Sequence, residues 1–270
     1  MARRPDQVEA FRREGVDAVL GDLGDMGSLA QAMRDCDRLF LLTPGTPAQA
    51  LSGRHAVEAA ARAGVSRVVH LSTADANPAS RIPWARAPAH TDALLRESGL
   101  MWTLLKPNAF MQNLLGSAAA VRRGFLPQTS GAGAIGWIDS ADIARVAARV
   151  LVEDGHAGRE YVLTGPARLS MRDIAAELSV AAGHRVRYLH LPGPLFYGAL
   201  RVGGLDPWTA RGLVHQFVDV VRHGEDDGWV ITDGVRSLTG TDPTPFSVFA
   251  RRHRDAFATP RSPRVVVTAA

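Results

Sequence analysis

Lys106 is the only lysine in the chain, and it falls where a lone cation could act. Residues 101–105 read as a buried strand, Lys106-Pro107-Asn108 as a turn, and a helix opens beyond it. Pro107 cannot continue a central strand, and Ser98-Gly99 suits the end of the preceding helix, where a left-handed backbone favours glycine. This pattern delivers side chains to the carboxyl end of a strand, the edge where ligands sit in open α/β sheets. An ammonium there could meet a cofactor phosphate, a substrate carboxylate or a surface acid. Asn108, Phe110, Met111 and Asn113 would line or support the pocket beside it, although apolar residues at a helix start equally serve a core.

His90 is a second group that could move a proton near neutral pH. Ala89-His90-Thr91-Asp92 also reads as an ordinary helix start, with Asp92 favoured in the first turn. Other chemistries find no residues. The sequence has no Gly-x-Ser-x-Gly nucleophile elbow and no His-Glu-x-x-His metal helix. Cys36 stands alone, which excludes a disulfide or a cysteine metal site within one chain, and no metal is expected. Gly131-Ala132-Gly133-Ala134-Ile135-Gly136 spells Gly-x-Gly-x-x-Gly. It follows Leu126-Pro127-Gln128-Thr129-Ser130 rather than an apolar strand, and the next helix starts only at Asp139-Ser140. The strand–turn–helix setting that a phosphate loop needs is therefore missing.

The elements that must position these groups alternate. Helical patterns cover 5–14, 28–35, 48–63 and 91–97, and strand patterns cover 16–23, 38–44 and 67–73. The runs at 38–44 and 67–73 are almost continuously apolar, as expected when helices cover both faces of a strand. Further on, 139–153 and 170–182 read as helices and 160–165 and 185–190 as strands, before a looser helical pattern from Pro192. The class is α/β, with a doubly wound parallel sheet. The chain has 270 residues, 46% hydrophobic and 21% charged, with a net charge of +4 carried almost wholly by arginine. No basic cluster or motif points to nucleic acid. No apolar run approaches a membrane span, and no signal-peptide core is present, so a cytoplasmic protein is expected.

The segment 98–113 resembles the NmrA-like, atypical short-chain dehydrogenase/reductase family. Thr103, Leu105, Pro107, Phe110, Met111 and Asn113 match its wording, with Lys106 where the family usually has Arg. The resemblance runs from Arg3 to Phe257 and includes 235–240 and 242–246. It implies a Rossmann-like NAD(P)-binding domain over 1–190, a small, mainly helical substrate or lid subdomain over 191–258, and a tail over 259–270. It also implies NADP or NAD as cofactor, reduction of a small carbonyl or quinone-like substrate, and paired subunits in a homodimer. Two alternatives stay open: a dinucleotide-sensing regulator without turnover, and a chain that no longer binds cofactor.

By the same resemblance, Arg3 matches a clamp for the NADP 2′-phosphate, where a guanidinium gives charge-assisted bonds. Asp22-Leu23 would lie against the adenine, and Thr43-Pro44 would pass the nicotinamide ribose. Ser72-Thr73 would offer a hydroxyl to a substrate carbonyl, and Lys106-Pro107 completes the cofactor-facing set. The family's reductase pair Tyr-x-x-x-Lys is absent, since Lys106 follows none of Tyr161, Tyr188 and Tyr197. Family members open with a strand, a Gly-x-x-Gly-x-x-Gly turn, a helix and a second strand. Met1 to Asp6 resembles the exit of that second strand, so the expected sheet is N-terminally incomplete, with two strands missing between 16–23 and 38–43. Residues 264–270 resemble the family's first-strand wording and otherwise read as a frayed tail.

Overall fold

The computed structural model describes residues 1–222 and 230–259. Two short helices, α1 (Pro5–Arg13) and α2 (Met26–Ala32), precede β1 (Arg38–Leu41). Helix and strand then alternate through α3 (Gln49–Ala63), β2 (Arg67–Leu71), α4 (Pro83–Glu97) and β3 (Met101–Pro107). A 3-10 turn (Met111–Ser117) leads to α5 (Ala118–Arg122), β4 (Phe125–Gln128), β5 (Ala134–Ile135), α6 (Ser140–Val152) and β6 (Arg159–Leu163). The remainder comprises β7 (Leu169–Ser170), α7 (Met171–Ala182), β8 (Arg187–His190), α8 (Gly193–Val202) and α9 (Pro207–His215). Helix α9 runs on as a wider coil over Gln216–Arg222, and α10 (Gly234–Thr239), α11 (Phe246–Arg252) and α12 (Arg254–Phe257) close the described chain.

The central sheet is parallel, in the order β1-β2-β3-β6. Period-two alternation sends neighbouring residues of β2 to opposite faces. Val68 packs with Leu29, Val57, Leu95 and Leu104 beneath α3 and α4. Val69 packs with Leu105, Val146, Leu163 and Val235 beneath α6 and α10. Both faces are covered, so the doubly wound class expected from the apolar strands is the observed one. A second core gathers Met111, Trp137, Ile174, Leu178 and Phe249, joining the 3-10 turn, α7 and α11. Strands β4 and β8 form a separate parallel pair in this region, and β5 and β7 an antiparallel one.

Several expectations are corrected. The alternating run 16–23 is not a strand, because its one ladder partner is Ala2, which pairs with Leu20. Val16, Val19 and Leu20 are exposed, so the alternation has no second layer to bury against. A groove of about 360 Å³, lined by Met1, Leu23, Met33 and the β1 residues, runs along the outer edge of β1. Helix α4 starts at Pro83 rather than residue 91 and contains Pro88. The segment 125–128 is a strand after all. Gly131 to Gly136 nevertheless leads into β5 rather than a helix. A Cβ at Gly133 would fall 2.0 Å from the Val221 carbonyl oxygen, so this glycine serves close packing. Residues 264–270 lie outside the described chain.

Gly53 of α3 packs against Thr91 of α4, and a Cβ there would fall 2.0 Å from the Thr91 hydroxyl. Thr91 is buried and β-branched, so it has little freedom to turn away. Overpacking of this kind costs about 1–3 kcal/mol, whereas Gly→Ala within a helix returns at most about 1 kcal/mol. Gly53→Ala is expected to lower unfolding free energy by about 1–2 kcal/mol in urea titrations, with recovery when Thr91→Ala is added.

Candidate functional site

The exits of β1, β2 and β3 open into one cleft of about 520 Å³ at the carboxyl edge of the sheet. Hydrogen bonds continue past the strand ends and fix its floor. The Ser72 N–H donates to the Leu105 carbonyl at 2.8 Å, and the Ala74 N–H donates to that of Pro107 at 3.0 Å.

Ser72 is held from below. His70 and Ser72 lie two residues apart on β2 and so share the face toward α4. The Asp92 carboxylate accepts from both, at 2.8 Å from His70 Nδ1 and 2.8 Å from Ser72 Oγ. All three side chains are buried. The carboxylate fixes the imidazole proton on Nδ1 and leaves Nε2 without a partner. It also engages the Ser72 hydroxyl proton.

Three other polar side chains face the same space. Gln49 Nε2 donates to Thr43 Oγ1 at 3.2 Å, and its Oε1 has no partner. Asn108 is 3% exposed, and both its side-chain oxygen and nitrogen lack partners. Asp75 accepts from Thr73 Oγ1 at 2.6 Å through Oδ1, while its buried Oδ2 has none. Burial pushes the Asp75 carboxyl above the ordinary carboxylate value, with the Thr73 hydroxyl pulling it part of the way back.

Apolar groups complete the lining. Phe110 comes from the exit of β3, Trp84 from α4 and Leu213 from α9. Trp84 is clamped: its Nε1 donates to Gln216 Oε1 at 3.2 Å, and its ring stands edge-on to Trp208 at 5.9 Å between centroids. A Cβ at Gly212 would fall 2.5 Å from that ring, so only glycine lets α9 sit this close.

Of the residues singled out from sequence, the fold brings Thr43, Ser72, Thr73, Pro107, Asn108, Phe110 and Asn113 together in the cleft. Pro44 turns the chain between Thr43 and Gly45, its carbonyl accepting from the Thr46 N–H at 2.8 Å. Met111 is fully buried in the second core. Lys106 pairs with Glu160 at 2.5 Å, beside Arg96, and does not line the cleft. His90 is exposed on α4 away from it. Arg3 is exposed beside the Ala2–Leu20 pair. Asp22 shapes a turn, accepting from the Gly24 N–H at 2.8 Å, and the Leu23 carbonyl meets His55 Nδ1 at 3.1 Å. Asp75, Gln49, Trp84, Thr209, Leu213 and Gln216 escaped the sequence reading. Asp75 alone had a signal there, as an acid three residues past Ser72 at a strand exit.

Buried polar atoms without partners cost about 1–3 kcal/mol each, so a floor that keeps several is shaped for a polar ligand. Unpaired amide atoms of Asn108 and Gln49 beside the Thr43 hydroxyl fit the carboxamide and ribose of a nicotinamide. Among the described residues, no glycine turn opening a helix stands beside β1. The residues present therefore fit the nicotinamide half of a dinucleotide.

The model of an NAD(P)H-binding family matches residues 1–154. The chain belongs to this family. An NAD(P)H azoreductase of Xenophilus azovorans is 32% identical over 258 residues, 95% of this chain and 89% of that protein. A (4-alkanoyl-5-oxo-2,5-dihydrofuran-3-yl)methyl phosphate reductase of Streptomyces griseus is 33% identical over 260 residues, 96% and 90% of the two chains. Among solved structures, an NADPH-dependent quinone oxidoreductase of Escherichia coli complexed with NADPH superposes with a TM-score of 0.83 at 29% identity, covering 93% of this chain and 88% of that one. The family member described here is accordingly placed among NAD(P)H-dependent oxidoreductases.

Asn108→Leu separates binding from folding. It removes two unpaired buried polar atoms at similar volume, so thermal unfolding is expected to shift upward. The same change removes the amide that would meet a nicotinamide carboxamide, and NADPH affinity measured by fluorescence titration is expected to fall about tenfold.

Proposed function

We propose that this chain reduces a flat, conjugated, quinone-like carbonyl acceptor with NADPH. The observation that carries the reading is a cleft that combines partly unpaired polar groups at the strand exits with the aromatic and apolar side chains of Trp84, Phe110 and Leu213. Such a site takes a ligand with a planar apolar body and a few polar groups on one edge. Relatives of about equal identity carry an azoreductase name and a phosphate-ester reductase name, so the acceptor rests on the shape of this lining.

When bound, NAD(P)H supplies a hydride. The protein's own residues supply the setting. Thr43 and Gln49 would hold the ribose and Asn108 the carboxamide. Trp84, Phe110 and Leu213 would press the acceptor flat and exclude water from its reacting face, which strengthens its polar contacts. The hydroxyl protons of Ser72 and Thr73 are both engaged by carboxyl oxygens, of Asp92 and Asp75 respectively. Neither hydroxyl can donate to a developing oxyanion without giving up that bond. Arg3, one residue past Ala2, is the group suited to read a 2′-phosphate.

The test is direct. Purified chain is mixed with NADPH and 1,4-naphthoquinone, and loss of reduced cofactor is followed. Turnover is expected, with Arg3→Ala weakening NADPH far more than NADH. NADPH binding without quinone-dependent oxidation would overturn the reductase reading in favour of a dinucleotide-sensing regulator. Failure to bind either cofactor would overturn both.

A further inference from the structure

We propose that Asp75 is the catalytic acid of this cleft, donating the proton that completes reduction of the acceptor. The proposal rests on the reductase reading above and goes beyond it by naming the proton source. Asp75 is the only ionisable side chain among the described residues that line the cleft. The lining hydroxyls nearest in sequence are committed, Ser72 to Asp92 and Thr73 to Asp75 itself.

Geometry prepares Asp75 for the task. The Thr73 hydroxyl fixes one carboxyl oxygen at 2.6 Å, and the other is left without a partner. A carboxylic acid carrying its proton on Oδ2 satisfies this arrangement, because Oδ1 remains an acceptor for Thr73. Among the described residues, the groups that face the cleft from neighbouring elements are uncharged: Thr43, Gln49 and Asn108 from the α3 side and the β3 exit, and Thr209 and Gln216 from α9 and its extension. Asp92 and His70 sit behind Ser72 and are bonded to each other. Burial is the largest influence on Asp75 and favours its neutral form, and no charged neighbour contributes to the shift.

The step balances. The acceptor takes a hydride from NAD(P)H. The Asp75 O–H bond breaks, its proton bonds the acceptor oxygen, and the electron pair stays on the carboxylate, which recovers a proton from solvent. One NAD(P)H, one proton and one quinone give one NAD(P)+ and one hydroquinone.

Asp75→Asn and Asp75→Glu are compared with wild type for NADPH affinity, kcat, KM, pH dependence and stability. General acid catalysis supplies about 10²–10⁴-fold, so Asp75→Asn is expected to lose kcat by that factor with KM and NADPH affinity nearly unchanged. Wild-type kcat is expected to fall on the alkaline side as Asp75 loses its proton. This limb disappears in Asp75→Asn and persists in Asp75→Glu, which a merely structural role would not produce. A turnover-independent readout follows from linkage. A carboxyl whose folded value is raised contributes stability at low pH that is lost as pH rises from its unfolded value through its folded one. Asp75→Asn should therefore gain stability relative to wild type as pH rises. Active wild type with Asp75→Asn within about tenfold of it, or with an unchanged alkaline limb, overturns the role of Asp75 alone. A wild type that oxidises no NADPH with quinone sinks the reductase reading, and the proton donor with it.

Discussion

The arrangement of the whole carboxyl edge depends on one buried carboxylate. Asp92 is 2% exposed beneath the sheet, and an unpaired ion there would cost several kcal/mol. It is tolerated because His70 and Ser72 meet it from one face of β2. That requirement sets the height and rotation of α4 against the strand. Two consequences follow. Ser72 is oriented where β2 ends, and Trp84, two turns upstream on α4, is carried to the rim of the cleft. Thr91, next to Asp92, is driven against α3 and leaves room for nothing larger than glycine at position 53.

The cleft is a seam between two cores. Its floor belongs to the sheet, where ladder bonds continue past the strand ends and keep the polar groups rigid. Its far wall comes from α9, whose neighbours pack into the second core through Phe196, Phe217 and Val221. The contact of Trp84 with Gly212 and Gln216 is the tie between them. A rigid floor and a wall built on a different core suit a site that must hold a cofactor in fixed register while accepting and releasing a second molecule.

Much of this was legible in the sequence. Continuous apolar runs gave away β1, β2 and β3, and Pro107 marked the point where β3 had to end. Thr43, Ser72, Thr73, Asn108, Phe110 and Asn113 reach the cleft because strand exits in a parallel sheet converge at one edge. What stayed hidden depended on partners distant in sequence. Trp84 and Gln216 are 132 positions apart, and no periodicity links them. Alternation at 16–23 imitated a strand because local pattern does not report whether a second layer exists to cover it. Segment 125–128 was passed over because Pro127 and Gln128 weaken its apolar character, yet pairing with β8 at one edge tolerates both. Lys106 shows the limit in another way. Its place at a strand exit was clear, but Glu160, which captures it, stands on a strand 54 residues later.

That capture bears on the chemistry. A reductase with a Tyr-x-x-x-Lys pair brings a phenol down toward neutrality with a nearby cation. A cation within a few ångströms of a carboxyl acts in the same direction and would hold it ionised, unable to give a proton at neutral pH. This chain has one lysine, and it is tied outside the cleft to Glu160, which also pairs with Arg96. The carboxyl at the cleft wall is instead raised by burial, and among the described residues that line the cleft no other carries a charge. A phenol lowered by charge and a carboxyl raised by burial are shifted from opposite sides in the direction that suits a proton donor near neutral pH. The absence of the usual pair and the position of the only lysine are then two aspects of one electrostatic design.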